Sequence, residues 1–342
     1  MFLKGMSELS ATASISGDWH VSEVPERGQS ATMELPFWLS NLQRYRNCGW
    51  GGVMNASKTR VLLATALLFF AGARAGAKTS GELASNELPM EAYDGYLLVV
   101  EASIGDLRGL KFLLDTGATT SAIDLKLAET LRLPRRPGRV INGDKTVRIE
   151  WSELPQLDYG LEHASNVKVI LQDLRYLGAS GVHVDGVIGW DLLRRQSFRL
   201  DFARKRVVFG ATDQTEGRSV PMRADGLYVA VQVELDGRPL WMIADTGMRG
   251  TTFYEGWLEE MREGYKVQPR TMGWSAGGAV ESRIAFVPRL RLGTQDLDRQ
   301  VHLVHSSGAE SLRGIAGYLG ISSLAAKEVT FDFERNELRW KK

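Results

Sequence analysis

The chain has 342 residues, enough for two compact lobes, and carries 42 basic against 41 acidic side chains, a net charge of +1. That balance offers no basic face for nucleic acid, and the single cysteine, Cys48, excludes a disulfide framework and a cysteine-built metal centre. With 36 glycines and many short strand-like runs, the composition points to an all-β domain with only short helices.

In chain order, residues 1–53 place Trp19, Trp38 and Trp50 among glycines and charges with no clear period, and read as an extension upstream of the true start or a disordered leader. A new start is legible at Met54. Lys58 and Arg60 lead into the apolar run 61–71 and then small residues to Ala77, so residues 54–77 read as a secretory signal peptide. The run is short for a membrane helix, which needs about 20 apolar residues, although 61–73 retained as an anchor is the alternative. Removing residues 1–77 takes away seven basic and five acidic side chains, leaving 35 against 36, so the mature protein is expected to be nearly neutral and thiol-free. The polar stretch from Gly76 to Glu91 reads as a linker into a first lobe, set at 78–211. Thr212 to Ser219 is the linker between lobes, and 220–342 forms the second lobe.

The two lobes repeat one another. Leu97–Asp115 lies without a gap against Leu227–Asp245, bringing Asp106 onto Asp236, Arg108 onto Arg238 and Leu110 onto Leu240. Each stretch reads as a strand, a Gly/Asp turn and a second strand delivering an aspartate. The tripeptides Asp115-Thr116-Gly117 and Asp245-Thr246-Gly247 stand 130 residues apart. Short helices are expected at Leu125–Leu133 and Gly256–Glu263. Asp185-Gly186-Val187-Ile188-Gly189 then matches Ala316-Gly317-Tyr318-Leu319-Gly320, with brief helical turns expected over Asp191–Arg195 and Ser322–Lys327. Strands Phe198–Phe202 and Val329–Phe333 follow, closed by Arg206–Phe209 and Glu337–Trp340. A whole supersecondary unit is duplicated. Burying an ionised carboxylate is costly, and two in matching contexts point to a pair that cannot both ionise easily.

Asp-Thr-Gly-Ala followed later by Asp-Gly-apolar-apolar-Gly resembles the retropepsin-like aspartic proteases, over roughly residues 88–210 and 221–342; one chain supplying both aspartates is similar to the pepsin plan. The resemblance implies an all-β, bilobal acid-protease fold of two pseudo-twofold related, barrel-like lobes with the cleft between them. It implies an aspartic endopeptidase in which Asp115 and Asp245 share one proton and activate a water by general acid/base chemistry. Thr116 and Thr246 would tie the loops together beneath the pair. Gly117 and Gly247 would let backbone N–H groups approach the carboxylates, and Gly189 and Gly320 would let later elements pack under the loops. The glycine-rich tip carrying Trp274, Ser275, Gly277 and Gly278 matches the family's flap over the substrate. In the first half Val140–Lys145 is either a second flap or a plain surface hairpin. No cofactor or metal is implied. The expected partner is a peptide or protein, and the expected state a monomer with an internal pseudo-dimer and no stable membrane span once the signal is cleaved.

One departure bears on activity. The first motif continues Ala118-Thr119-Thr120-Ser121, but the second continues Met248-Arg249-Gly250-Thr251-Thr252. A guanidinium beside Asp245 would favour its charged form and either tune the pair or spoil it. The alternative function is therefore a catalytically silent, retropepsin-like peptide-binding protein. Neither motif places a hydroxyl directly after its glycine, so an only mildly acidic optimum is expected. His163, His183, His302 and His305 show no ligand spacing, and Trp151, Trp190, Trp241 and Trp257 read as core. The expected location is periplasmic or secreted.

Overall fold

The computed structural model describes residues 86–142, 145–210, 217–224, 226–259, 265–275, 278–304 and 314–342. The leader 1–53, the signal segment 54–77 and the apolar stretch 61–73 lie outside the described residues. Among the described residues no helix is long and apolar enough to cross a membrane.

The first half runs β1 (Glu87–Tyr93), β2 (Leu97–Ile104), β3 (Leu107–Leu114), β4 (Ala122–Asp124), α1 (Leu125–Thr130), β5 (Arg136–Asn142), β6 (Lys145–Tyr159), β7 (Glu162–Gln172), β8 (Gly186–Ile188), α2 (Trp190–Leu193), β9 (Phe198–Asp201) and β10 (Arg206–Phe209). The second runs β11 (Arg218–Arg223), β12 (Ala230–Leu235), β13 (Arg238–Asp245), β14 (Thr251–Tyr254), α3 (Glu255–Glu259), β15 (Lys266–Ser275), β16 (Gly278–Phe286), β17 (Leu290–Leu292), β18 (Gln295–Asp296), β19 (Gln300–Val304), β20 (Ile315–Gly320), β21 (Glu328–Asp332) and β22 (Glu337–Lys341). A 3₁₀ turn, Ile321–Leu324, stands where the first half has α2. The chain is mostly β and two-lobed, as its repeat implies.

Pairing repeats strand for strand. β3 runs parallel to β8, and β13 to β20. β4 is parallel to β7 and antiparallel to β8, while β14 is parallel to β19 and antiparallel to β20. The hairpin β6–β7, whose register skips Pro155, has its counterpart in β16–β19, where β16 ends at Phe286 just before Val287-Pro288-Arg289; proline has no N–H to give a ladder. The hairpin feeding Asp245 turns on Asp236 (φ 50°) and Gly237 (φ 82°), the two left-handed residues that a tight hairpin requires.

Several expected boundaries shift. The stretch that reads as a leading linker supplies β1 from Glu87, because Leu88 and Met90 are buried and β1 pairs with both β2 and β10. The inter-lobe linker likewise ends early, since Arg218 and Ser219 pair with Trp340 and Arg339. Helix α1 stops at Thr130, with Arg132 left-handed (φ 51°) shortly beyond, and its start is capped by Asp124, whose carboxylate accepts from Lys126 N at 2.9 Å. In the second half α3 covers Glu255–Glu259; residues 260–264 lie outside the described residues.

Strands from both halves form one antiparallel sheet in the order β1-β10-β9-β21-β22-β11. At its centre Phe198 pairs with Phe331, Arg199 with Thr330 and Leu200 with Val329. The repeat equates Phe198 with Val329 and Leu200 with Phe331, so the pseudo-twofold axis passes through the Arg199–Thr330 pair. Phe198 stacks on Phe331 at 4.6 Å between ring centroids. One core continues through both halves, from Phe112, Leu114 and Trp190 to Met242, Ala244 and Trp340. The opposite faces of β2–β3 and of β12–β13 pack smaller clusters, Leu97, Val99 and Leu113 in one half and Ala230 and Ile243 in the other.

Candidate active site

Asp115 follows β3 directly and Asp245 closes β13, each beside the parallel strand of its own apolar-Gly element; Asp115 N donates to Ile188 O at 3.0 Å. Local turns then aim backbone donors at the carboxylates. Asp115 Oδ1 accepts from Gly117 N at 2.9 Å and Ala118 N at 3.0 Å, and Asp245 Oδ1 accepts from Gly247 N at 2.7 Å.

The two loops interlock. Thr116 N donates to Thr246 Oγ1 at 2.9 Å and Thr246 N to Thr116 Oγ1 at 3.0 Å. The hydroxyls continue across: Thr116 Oγ1 donates to Ala244 O at 2.6 Å, and Thr246 Oγ1 to Leu114 O at 2.8 Å. Both threonines are buried. Each glycine faces the aspartate of the other half. A Cβ on Gly117 would stand 2.3 Å from Asp245 Oδ2, and one on Gly247 would stand 2.6 Å from Asp115 Cγ. Only glycine permits that approach. Gly189 and Gly320 fit the same reasoning one layer down: a Cβ there would meet Ala118 O at 2.8 Å, or Gly250 O at 2.4 Å.

Burial raises both carboxyls above the ordinary range. For Asp115 the N–H groups of Gly117 and Ala118 work against that rise, whereas Asp245 is driven well up by burial and then by the charge of Asp115. The pair is unequal in its donors, two backbone N–H groups on Asp115 against one on Asp245, a geometry that favours the ionised form at Asp115. It titrates as a unit, with two apparent steps belonging to the pair.

Arg249 does not sit where the sequence suggested. Its guanidinium reaches Asp94 at 3.6 Å and stays largely exposed. The reason is the β1–β2 turn, which brings Asp94 (φ 50°) and Gly95 (φ 78°) up to the second Asp loop and gives the cation an acidic partner. The feature that motivated a silent site is therefore paired with an acid from the β1–β2 turn.

The hairpin tips are placed in part. Ser275 pairs with Gly278 and Trp274 with Ala279 to close β15–β16; Gly277 lies outside the described residues. In the first half Asn142 pairs with Lys145 to close β5–β6, and Gly143 and Asp144 lie outside them. Both halves thus carry a long hairpin at the same chain position. Trp151 and Trp190 are buried, while Trp241 is half-buried under Arg223 at 3.7 Å. His163 lies against Asp158 and His183 against Asp185, both exposed, and among the described residues no group of three potential metal ligands converges.

Tyrosines flanking the dyad were not singled out from sequence. Burial and then the Asp115 charge push the Tyr176 hydroxyl up to about 12. Burial raises Tyr318, which also senses both aspartates and meets Tyr254 edge-on at 6.0 Å. Tyr318 stands where the first half has Val187, a difference between repeats that was readable. Tyr176, in a 3₁₀ turn some 60 residues from Asp115, left no such signal.

A family model described as Aspartyl protease matches residues 100–192 and, separately, residues 231–322, together more than half of the 342 residues. No curated protein matches the chain.

Proposed function

The chain belongs to the aspartyl protease family, and from that premise we propose that it is an active aspartic endopeptidase acting on peptide or protein chains. The observation carrying this reading is the pair itself: two carboxylates, Asp245 buried and Asp115 half-buried, each cradled by its own loop's N–H and each packed on the other loop's glycine. Family membership supports the fold and a peptide substrate; the pair supports turnover.

In the proposed reaction Asp115, ionised and held by two N–H donors, takes a proton from a water lying between the carboxylates. Asp245, protonated, donates to the carbonyl oxygen of the scissile peptide. Water oxygen bonds to carbon and a tetrahedral diol forms. Asp115 then returns its proton to the amide nitrogen while Asp245 takes a proton back from a diol hydroxyl; the C–N bond breaks, yielding an acid and an amine and restoring the starting protonation of the pair. Chemistry of this kind weakens in bulk water, so the β15–β16 and β5–β6 hairpins are assigned as covers that close over the peptide. Because both carboxyls are raised, the optimum is expected to be mildly rather than strongly acidic. The segment 54–77 supports an exported, periplasmic or secreted location.

Digestion of an unbiased peptide library by the full chain, beside Asp115→Asn and Asp245→Asn, tests the reading. Cleavage lost in either variant alone is the expected result. Intact peptides at every pH, or cleavage that survives Asp245→Asn, would refute it.

A further inference from the structure

Behind each Asp loop the next element supplies a polar side chain, and the two halves use different chemistry there. In the second half Ser322 Oγ donates to Met248 O at 3.3 Å. In the first half the corresponding residue is Asp191. Its Oδ1 accepts from Ser121 N at 2.9 Å and from Ser121 Oγ at 2.8 Å. The same hydroxyl accepts from Gly189 N at 3.0 Å, and Trp190 N donates to Ala118 O at 2.7 Å. Ala118 N in turn donates to Asp115 Oδ1 at 3.0 Å. A braced path therefore runs from Asp191 through residues 118–121 to the carboxylate of Asp115.

The brace sits where it can make the dyad unequal. Asp115 has a second backbone donor, Ala118 N, and among the described residues Asp245 has no counterpart to it beyond Gly247 N. Ser121 is fully buried, so its bonds to Asp191 have little competition from water. Burial pushes the Asp191 carboxyl up; the Ser121 donors and Arg195 oppose that. Among the described residues Tyr159, on β6, also senses its charge.

Building on the dyad reading above, we propose that Asp191 is a positioning residue: by holding Ser121 it keeps the Ala118 N–H on Asp115 and makes Asp115 the more acidic partner. Loss of the acceptor lets residues 118–121 relax, and the N–H bond that favours ionised Asp115 weakens with them.

The test uses the full chain and the variants Asp191→Ala, Ser121→Ala, their double and Asp191→Asn. It follows the acid limb of the kcat/KM profile and the ¹³C carboxyl titration of the dyad. Asp191→Ala is expected to raise the lower apparent value of the pair by about one pH unit, as loss of a donor to a carboxylate does. Ser121→Ala should do the same, and the double should add little. Asp191→Asn, which keeps an acceptor for Ser121, should restore the lower value almost fully. A lower value unmoved in Asp191→Ala, even with a reduced melting temperature, would overturn the proposal, leaving a purely structural brace. Should Asp191→Ala fail to fold, Ser121→Ala decides by the same criterion. Absence of cleavage by the unmodified chain would count against the protease reading alone, since the carboxyl titration needs no turnover.

Discussion

Thr116→Val removes a hydroxyl and leaves the shape of the side chain almost unchanged, so its cost is polar. The hydroxyl donates to Ala244 O at 2.6 Å and accepts from Thr246 N at 3.0 Å, at a site where Thr116 is 1% and Thr246 3% exposed. Valine therefore strands one carbonyl and one N–H away from water. At about 1–3 kcal/mol for each orphaned group, the loss is expected at about 2–4 kcal/mol after some relaxation. That is a large share of the about 5–15 kcal/mol that stabilises a typical domain. Equilibrium urea unfolding followed by tryptophan fluorescence would measure it, with the slope unchanged if only stability has moved. Thr246→Val loses the mirrored bonds, with Thr116 N at 2.9 Å and Leu114 O at 2.8 Å, and should cost a similar amount. Combined, the two should cost less than their sum, since one freed loop already loosens the other. A loss below about 1 kcal/mol in either single variant would show that the crossing bonds hold the halves together far less than their burial implies.

Two further outcomes follow from the same centre. Gly117→Ala places a Cβ 2.3 Å from Asp245 Oδ2 and must push the carboxylates apart. Peptide turnover should fall about 100-fold or more, the usual penalty for misplacing reacting groups by an ångström; full activity in kinetic assays would contradict the packing described. Asp245→Asn should change stability in a pH-dependent sense. The folded state binds the Asp245 proton more tightly than the unfolded chain does, so the unmodified protein loses stability as pH rises from the ordinary carboxylate range through the raised value. Asparagine has no such proton. The variant should melt higher than the unmodified chain at neutral pH, with a flatter pH dependence, and identical melting curves across that range would contradict the burial of the pair.

What the sequence made legible was whatever the duplication wrote twice in short range. The hairpins delivering Asp115 and Asp245, the later glycines and the closing strands recur at nearly constant offset, and each is a local pattern of alternation and turn residues. β1 and β11 read as linker because each carries exposed charged residues and only part of its pairing is local: besides the adjacent β2 and β12, β1 pairs with β10 and β11 with β22. Arg249 was misjudged for another reason. Adjacency in sequence to Asp245 fixes where its backbone is, but a long side chain goes to the nearest acid, and Asp94 arrives from a turn in the other half. Asp191 was seen only as part of a helical turn, because its partner Ser121 lies 70 residues earlier.

The shared sheet also says something about ancestry and about fragments. Phe198 to Asp201 in β9 meets Glu328 to Phe331 in β21 with an axis through the middle of the pairing. A strand that pairs so symmetrically with its own repeat has a shape suited to pairing with an identical copy. Cut free of the second half, β9 would present an unpaired apolar edge bearing Phe198 and Leu200, a template open to another fragment. The fused chain closes that edge within itself, turning a concentration-dependent encounter between separate molecules into a connection fixed by covalent linkage.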